Sequence, residues 1–337
     1  MTLSVRGLWL VLLFVAASCG DRSEKAAVDT QENVAAEVDS TLYNLNVAIA
    51  RNPRDPNAYY ERARYWQDLD RVDDALADLK SALLLDTTNA NYFYTLGELY
   101  FKIGALPEAD EVLGVATIKN PKLAKAYVKR GEFAFYQKQY NSAIKHINDG
   151  LRQDVNYAPG YFWKGMVYLE QKNEKQAISG FLTAIEQDPD YHEAYMQLGL
   201  LYGAKNDNKA HDYFTNALRT DPKSIEARYG RAMFLQDRGY ADSARQDYRT
   251  ILAQDSLHSI SLFNLGYLSM MEEKYADAIN WYTRSIESDP SYHQAFYNRG
   301  LCYELSGDKL KAANDFKRTL TLAPAYELAI TALKRLK

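Results

Sequence analysis

The sequence predicts an all-α solenoid built from helix hairpins that stack one after another. Three kinds of residue recur with a period of 34 residues, as from position 97 to position 131, with a single step of 33. A fixed period of this length is typical of stacked-repeat architectures, and it favours a protein that holds other molecules over one that reacts with them. The recurring residues are a small residue (Ala63, Gly97, Gly131, Gly165, Gly199, Ala232, Gly266, Gly300), an alanine eleven or twelve positions later (Ala75, Ala109, Ala143, Ala177, Ala210, Ala244, Ala278, Ala312) and a proline at the repeat ends (Pro53, Pro121, Pro189, Pro222, Pro290, Pro324), with Thr87, Val155 and Ser256 where the proline is missing.

Residues 293–326 show why each unit forms two helices. Small and apolar residues at steps of three and four form one helical face in the first half and another in the second. Gly307 and Asp308 between the halves indicate a turn, and Pro324 prevents the second helix from continuing. A glycine inside a helix costs about 1 kcal/mol relative to alanine. The recurring glycines therefore predict that the two helices of each hairpin cross closely.

The order of large, small and aromatic residues in each unit resembles that of the tetratricopeptide repeat (TPR) family. The resemblance implies a right-handed superhelical solenoid of about eight helix-hairpin repeats with capping helices. The fourth copy matches the family pattern at Tyr161, Gly165, Tyr168, Ala177, Phe181 and Ala184, and the last at Phe296, Gly300, Tyr303, Ala312, Phe316, Thr319 and Pro324. The repeats are predicted at residues 56–89, 90–123, 124–157, 158–191, 192–224, 225–258, 259–292 and 293–326.

The fifth and sixth copies depart from this pattern. Arg228 and Gly230 lie where the first helix of the sixth copy should be most apolar, and the fifth copy lacks one residue in the turn near 204–209. We therefore expect the superhelix to be least regular between residues 200 and 235, without a change of fold.

Single helices are expected to close the two ends of the array, because the terminal units of a solenoid differ from the internal ones. Residues 39–53 are predicted to form an N-terminal capping helix. Residues 327–337 are predicted to form an amphipathic C-terminal capping helix, in which Ile330 and Leu333 cover the last repeat.

The first residues predict export from the cytoplasm. Arg6 precedes an apolar run over 8–17, which is short for a membrane span and ends in small residues, so 1–18 is predicted as a signal peptide. The sequence around Cys19 resembles the bacterial lipobox, although Ala16 stands where leucine is common. This resemblance implies that Cys19 becomes the first residue and carries lipid on its sulfur. A plain secretion signal with an incidental cysteine is the alternative.

Residues 19–38 are polar, small and acidic, and they are predicted to form a flexible tether. Cys302 is the other cysteine of the chain, so no disulfide framework is expected, and we predict that it is a small core residue. With lipid on Cys19, the protein would lie in a bacterial envelope. We expect the outer membrane rather than the inner one, with the solenoid in the periplasm or at the cell surface.

Composition and motifs argue against several classes of function. The apolar fraction of 47% and the formal charge of −4 are ordinary for a folded protein, and the lack of a basic excess argues against a nucleic-acid partner. The glycines are not clustered as in a phosphate-binding loop, and the five histidines lack the spacing of a zinc site. We therefore predict a non-enzymatic protein without a cofactor or a metal ion.

In TPR solenoids the first helices of the hairpins line the concave surface, where the family binds peptides, extended segments or partner helices. The resemblance places an aromatic and methionine-rich stripe there, and such side chains accept apolar anchors. The alternative is that these side chains only pack neighbouring first helices together. The predicted groove residues are Phe162, Met166, Met196, Tyr229, Met233, Phe263, Asn264, Tyr267, Met270, Tyr297 and Asn298, with Leu200, Leu301 and Met271 beside them. The two asparagines are expected to hydrogen-bond a peptide backbone.

Together these patterns predict an envelope adaptor that binds a partner protein or peptide in its concave groove. Two alternatives remain open at this point. The solenoid could associate with itself as a homo-oligomer and act structurally, or the aromatic stripe could stack on the sugar rings of peptidoglycan.

Overall fold

The structure is a computed structural model that describes residues 40–336. This part of the chain forms eighteen helices and no strand, which confirms the predicted all-α fold. The helices are α1 (40–51), α2 (Pro56–Asp68), α3 (Val72–Leu85), α4 (Ala90–Lys102), α5 (Leu106–Lys119), α6 (Ala124–Tyr136), α7 (Tyr140–Gln153), α8 (Ala158–Glu170), α9 (Glu174–Gln187), α10 (His192–Ala204), α11 (Lys209–Thr220), α12 (Ile225–Asp237), α13 (Ala241–Gln254), α14 (Ser259–Met271), α15 (Tyr275–Ser288), α16 (His293–Leu305), α17 (Lys309–Leu322) and α18 (Glu327–Arg335).

The helices belong to two compact units, which divide between Ala126 and Tyr127, inside α6. In the first unit α2 pairs with α3 and α4 with α5, and in the second unit the pairs run from α8 with α9 to α16 with α17. We call the two members of each pair the A helix and the B helix. Within each unit a B helix also packs against the next A helix, as α11 does against α12. Each pair falls inside one of the predicted repeats.

The A helix ends with the same backbone geometry in every repeat. One residue per turn has a φ between 56° and 89°, the left-handed conformation that glycine adopts most easily. The next amide donates to a carbonyl five residues back, as Asn173 N–H does to the Tyr168 carbonyl at 2.8 Å, which is a Schellman cap. The left-handed residues are Asp70, Gly104, Lys138, Lys172, Asn206, Gly239, Glu273 and Gly307. The motif recurs at steps of 34 residues, with one step of 33, although only three of its eight left-handed positions are glycine.

An aspartate or asparagine ends nearly every B helix, and its side chain fixes the turn to the next repeat. Asp188 Oδ1 accepts the N–H of Asp190 at 3.0 Å, and Asp221 Oδ1 accepts the N–H of Lys223 at 2.9 Å. Such Asx turns satisfy an amide that the helix leaves unpaired. Most of the periodic prolines follow these residues, as Pro189 follows Asp188. The Asx turn and the proline therefore both help to end the B helix.

The close helix crossing that the recurring glycines predict is confirmed. A methyl group built on Gly165 would lie 2.7 Å from Phe181 Cε1, and one built on Gly300 would lie 2.7 Å from Phe316 Cε1. Real side chains almost never approach so closely. The large B-helix residue therefore occupies the space that the A-helix glycine leaves, and both phenylalanines are fully buried.

Charged pairs also join the A and B helices of three repeats. In the second unit, Arg231 Nε and Nη2 donate to the two Asp247 carboxylate oxygens at 2.8 and 2.7 Å. Arg231 Nη1 also donates to Thr215 Oγ1 at 3.3 Å, which ties in the preceding B helix. The sequence analysis missed these pairs, and the signal that could have found them is an arginine followed by an aspartate sixteen residues later. The pairs are Arg62 with Asp78, Arg231 with Asp247 and Arg299 with Asp315.

The C-terminal helix α18 closes the second unit. Ala329 and Ala332 are buried, and they pack in one cluster with Ala312 and Phe316 of α17. Arg335 Nε and Nη2 donate to the Glu304 carboxylate at 2.6 Å each, so an ion pair links α18 to α16. At the other end, the predicted signal peptide, lipid site and tether lie outside the described residues.

Candidate functional site

The predicted groove residues lie on the A helices α8, α10, α12, α14 and α16. Between α10 and α12 the surface opens into a recess of about 750 Å³. Met196 and Leu200 of α10 line it from one side, Tyr229 and Met233 of α12 from the other, and Phe214 of the intervening helix α11 forms part of its wall. We call this the α10/α12 recess. Its lining is mainly apolar, and Leu200 is 50% exposed.

Glycines at two adjacent A helices leave the recess open. Phe214 lies against both Gly199 and Gly230, so that a methyl group on either would come within 2.7 Å of its ring. Neither position can therefore carry a side chain that would fill the recess. Gly203 also lines the recess, but a methyl group there would meet only Ala210 Cβ, at an ordinary 3.8 Å.

A missing aromatic pair is a second cause of the opening. In other repeats, an A-helix ring packs against a tyrosine that comes directly before the next A helix. Phe263 packs in this way on Tyr292, with ring centroids 5.0 Å apart. At the equivalent positions of the fifth repeat stand Met196 and Ser224, and Ser224 is a buried N-cap whose Oγ accepts the N–H of Ala227 at 3.1 Å. The other such pairs are Phe162 with Tyr191 and Tyr297 with Tyr326.

Arg228, one of the predicted irregularities, preserves a hydrogen bond of the repeat. In the first and fourth repeats a tyrosine at this position, Tyr59 or Tyr161, donates its hydroxyl to a carbonyl six residues back. Arg228 Nη2 donates to the equivalent carbonyl, that of Pro222, at 2.6 Å. The substitution therefore keeps the local geometry of α12, and the helix pairs with α13 like its equivalents.

The structure brings three of the predicted groove residues together in the recess and places others in aromatic packing. Met196, Tyr229 and Met233 line the recess. Phe162 is 7% exposed and packs on Phe181 of its own hairpin, so its ring belongs to the core. The remaining aromatic residues and methionines, Met166, Phe263, Tyr267, Met270 and Tyr297, are partly buried along α8, α14 and α16.

Both predicted asparagines already bond within the protein. Asn264 is buried, and its Nδ2 donates to the Tyr229 hydroxyl at 3.3 Å, which joins α14 to α12. Asn298 Nδ2 donates to the Gln294 carbonyl one turn earlier, at 3.0 Å. Recognition of a peptide backbone by either amide would have to replace these bonds.

The rim of the recess is acidic. Glu226 and Asp237, at the two ends of α12, are exposed and line the opening, and the lining includes no lysine, arginine or histidine. Burial raises the pKa of Tyr229 above its usual range, the hydrogen bond from Asn264 opposes this shift, and the charge of Asp237 adds to it. The Asp237 carboxylate therefore acts electrostatically on the interior of the recess.

A second cavity, of about 720 Å³, lies between the B helices α13 and α15 and differs in chemistry. Four of its six charged side chains belong to one network, in which Arg245 bonds Asp242 at 2.8 Å and Glu272 at 2.6 Å. Glu272 also pairs with Lys274 at 2.9 Å, and these two cations hold the pKa of Glu272 below its usual value. This surface is an internally neutralised network and lacks the apolar lining of the α10/α12 recess.

Within residues 40–336, no group of three or more histidine, cysteine, aspartate or glutamate side chains is arranged to hold a metal ion. Among the helices in that range, none is long and apolar enough to cross a membrane.

Family models for the tetratricopeptide repeat match residues 158–191, 234–293 and 272–327. The chain carries tetratricopeptide repeats over these residues. It is 24% identical over 157 residues to human tetratricopeptide repeat protein 6, across 36% of this chain and 30% of that one. It is 27% identical over 116 residues to human protein O-mannosyl-transferase TMTC3, across 34% of this chain and 13% of that one. The chain therefore covers less than a third of the length of either relative.

Solved structures of bacterial and other TPR proteins share the fold. The C-terminal part of a TPR repeat-containing protein from Cytophaga hutchinsonii superimposes with a TM-score of 0.59 at 18% identity, covering 71% of this chain and 99% of that one. PilW, a type IV pilus biogenesis factor, gives a TM-score of 0.53 at 18% identity, covering 62% and 98%. At these identities the likeness shows the fold alone. The TPR fold itself is typical of protein interaction scaffolds.

Proposed function

We propose that this protein is a non-enzymatic adaptor of a bacterial cell envelope that binds a partner protein or peptide through its A helices. One observation carries the proposal, namely the α10/α12 recess, which leaves apolar side chains uncovered on a fold typical of interaction scaffolds. In the fourth, seventh and eighth repeats the equivalent A-helix residues are covered by rings of their own chain, as Phe263 is by Tyr292. Covering apolar surface of this kind with a partner lowers the free energy of the complex.

The size of the recess sets what it can contribute. Burying one leucine or phenylalanine side chain of a partner gains about 1.5 to 3 kcal/mol. A dissociation constant of 1 μM needs about 8 kcal/mol. One anchor in the recess therefore acts as a hot spot within a longer contact, which extends along α14 and α16 past Tyr267 and Leu301.

The membrane anchor is the second part of the proposal. The sequence around Cys19 supports a lipid on its sulfur, with the outer membrane favoured over the inner one and residues 19–38 as the tether. Cys19→Ala should move the protein from the membrane fraction to the soluble fraction. The mature N-terminus, read by mass spectrometry, should begin at a lipid-modified Cys19. A variant that stays on the membrane would contradict the anchor and leave the adaptor role untouched.

The adaptor role is tested by filling the recess without disturbing the fold. Gly203→Phe places a ring in the opening at a position where a methyl group meets no backbone, and Gly203→Ala is the matched control. We would capture each protein from native envelopes of the source bacterium and quantify the bound proteins. A partner retained by the parent and by Gly203→Ala, and lost with Gly203→Phe, supports the proposal.

Two other outcomes would count against this site. A partner retained equally by all three proteins would place the binding surface outside the recess. If no partner is recovered with any of them, and the mass of the protein rises with its concentration, self-association becomes the better account. Sedimentation with purified peptidoglycan distinguishes the glycan-binding alternative.

A further inference from the structure

We propose that the segment that enters the α10/α12 recess carries an apolar anchor side chain between two basic side chains. The inference rests on the proposed function, because it assumes that a partner occupies the recess. It goes further by naming the chemistry of that partner, and it is carried by the charges around the opening.

Glu226 and Asp237 lie eleven residues apart on α12, one at each end of the recess. Along an α-helix this separation is about 16 Å. Both residues are exposed. Within residues 40–336, neither carboxylate forms an ion pair or accepts a hydrogen bond from a side chain. Two negative charges thus flank an apolar opening whose lining supplies no cation.

Glu226 and Asp237 differ from the carboxylates of the same unit that hold neighbouring helices together. Asp247 is held by Arg231, Glu272 by Arg245, and Glu304 by Arg335. Each of these pairs joins neighbouring helices and so has a role in the fold. Glu226 and Asp237 have no such role, and their charges are available to a ligand.

The placement of the charges specifies the ligand. An acidic segment in the recess would be repelled from both ends, whereas lysine or arginine side chains there would pair with Glu226 and Asp237. An extended chain advances about 3.3 Å per residue, so 16 Å corresponds to about five residues. We therefore infer two basic residues about five positions apart, with a leucine, phenylalanine or similar side chain between them.

The test uses three synthetic peptides of about twelve residues with blocked ends. Each has leucine and phenylalanine at its centre, between two lysines, two glutamines or two glutamates placed about five positions apart. Binding to the full-length protein is followed through the methionine methyl signals in NMR spectra. Met196 and Met233 line the recess, so their signals report on its occupation.

We expect the lysine peptide to shift the Met196 and Met233 signals and to bind about tenfold more tightly than the glutamate peptide, with the glutamine peptide between them. The difference should shrink at high salt. In the double variant Glu226→Gln, Asp237→Asn the three peptides should bind alike, and in Glu226→Lys, Asp237→Lys the order should reverse. Both residues are exposed, so neither variant should change the unfolding midpoint.

Two results would overturn the inference. Only the second would also contradict the proposed function. Equal affinities of the three peptides for the parent protein would refute the charge preference and leave the recess as a binding site. If no peptide shifts the Met196 and Met233 signals at millimolar concentration, and Gly203→Phe retains the captured partner, both this inference and the proposed function fail.

Discussion

Two junctions between neighbouring A helices, α10 with α12 and α14 with α16, occupy equivalent places in the repeat and differ in what fills them. At the second, Phe263 packs on Tyr292 and Tyr282, with ring centroids 5.0 and 5.4 Å apart. At the first, the residues equivalent to Phe263 and Tyr292 are Met196 and Ser224, and a recess remains. The comparison teaches that a few side chains decide whether a TPR junction serves stability or presents a binding surface.

The two junctions also differ in whether their carboxylates are paired with cations. At the second junction, Glu304 of α16 is paired with Arg335, so its charge is used to hold the capping helix. At the first, Glu226 and Asp237 flank the opening without a cation from the described chain. At the filled junction, apolar and charged side chains hold helices together. At the open junction, side chains of the same kinds stay uncovered.

The largest expected effect is the difference between the two junctions in their contribution to the free energy of unfolding. Phe263→Ala removes a ring packed on two tyrosines and should lower the free energy of unfolding by about 3 kcal/mol. Leu200→Ala removes a half-exposed side chain from the recess and should cost under about 1 kcal/mol. Urea unfolding of both variants measures the difference. Equal costs would mean that the recess is closed in solution and Leu200 is buried there.

Two glycines that line the same recess should respond to alanine with opposite signs. Gly230→Ala sets a methyl group 2.5 Å from the buried Phe214 ring and should cost about 2 kcal/mol. Gly203→Ala places a methyl group in ordinary contact with Ala210 Cβ, at 3.8 Å inside a helix, and should stabilise the protein by up to about 1 kcal/mol. The unfolding midpoints of the two variants, measured side by side, check this. If Gly230→Ala stabilises the protein, the Phe214 ring can move, and Gly199 and Gly230 do not fix the shape of the recess.

The smallest effect concerns pH. The hydrogen bonds from Arg335 hold the pKa of Glu304 below its ordinary value of 4.5. Because the folded-state pKa is the lower one, the pair stabilises α18 above about pH 4.5, and this contribution is lost as the pH falls through the folded-state pKa. Arg335→Gln should therefore weaken amide protection of α18 at pH 7, by under about 1 kcal/mol. The difference from the parent should vanish in acid.

The neutral variants of Glu226 and Asp237 provide the control for that pH experiment. Neither carboxylate is paired within the described residues, and at opposite ends of α12 their charges act on the helix dipole with opposite signs. Removing both, in Glu226→Gln, Asp237→Asn, should therefore leave stability nearly unchanged at both pH values. A pH-dependent loss of stability in this double variant would reveal a cation that binds one of them in solution, and the electrostatic contrast between the junctions would then fail.

Much of the fold could be read from the sequence, because each repeated position has one physical meaning. A glycine where two helices cross means that no methyl group fits, and Gly165 against Phe181 shows this directly. The turns were harder to predict. Lys172 and Glu273 adopt the left-handed conformation although neither residue type favours it, because the hairpin that encloses them imposes the cap.

The candidate site was predicted less completely. The stripe of aromatic residues and methionines included Met196, Tyr229 and Met233, which line the recess, together with Phe162, which is buried in the core. Phe162, Met196 and Tyr229 occupy the same position of the repeat, so the sequence pattern alone does not distinguish them. What separates them is a partner in another helix, such as Tyr191 beside Phe162, which a pattern within one repeat does not show.

The sequence by itself determined the helix pairs, their close crossings and the order in which they follow one another, because these depend on spacings that recur along the chain. Only the tertiary structure decided where the array stays open. That outcome depends on whether side chains about thirty residues apart meet and fill a shared space: Phe263 and Tyr292 do so, and the Met196 and Ser224 positions leave a recess.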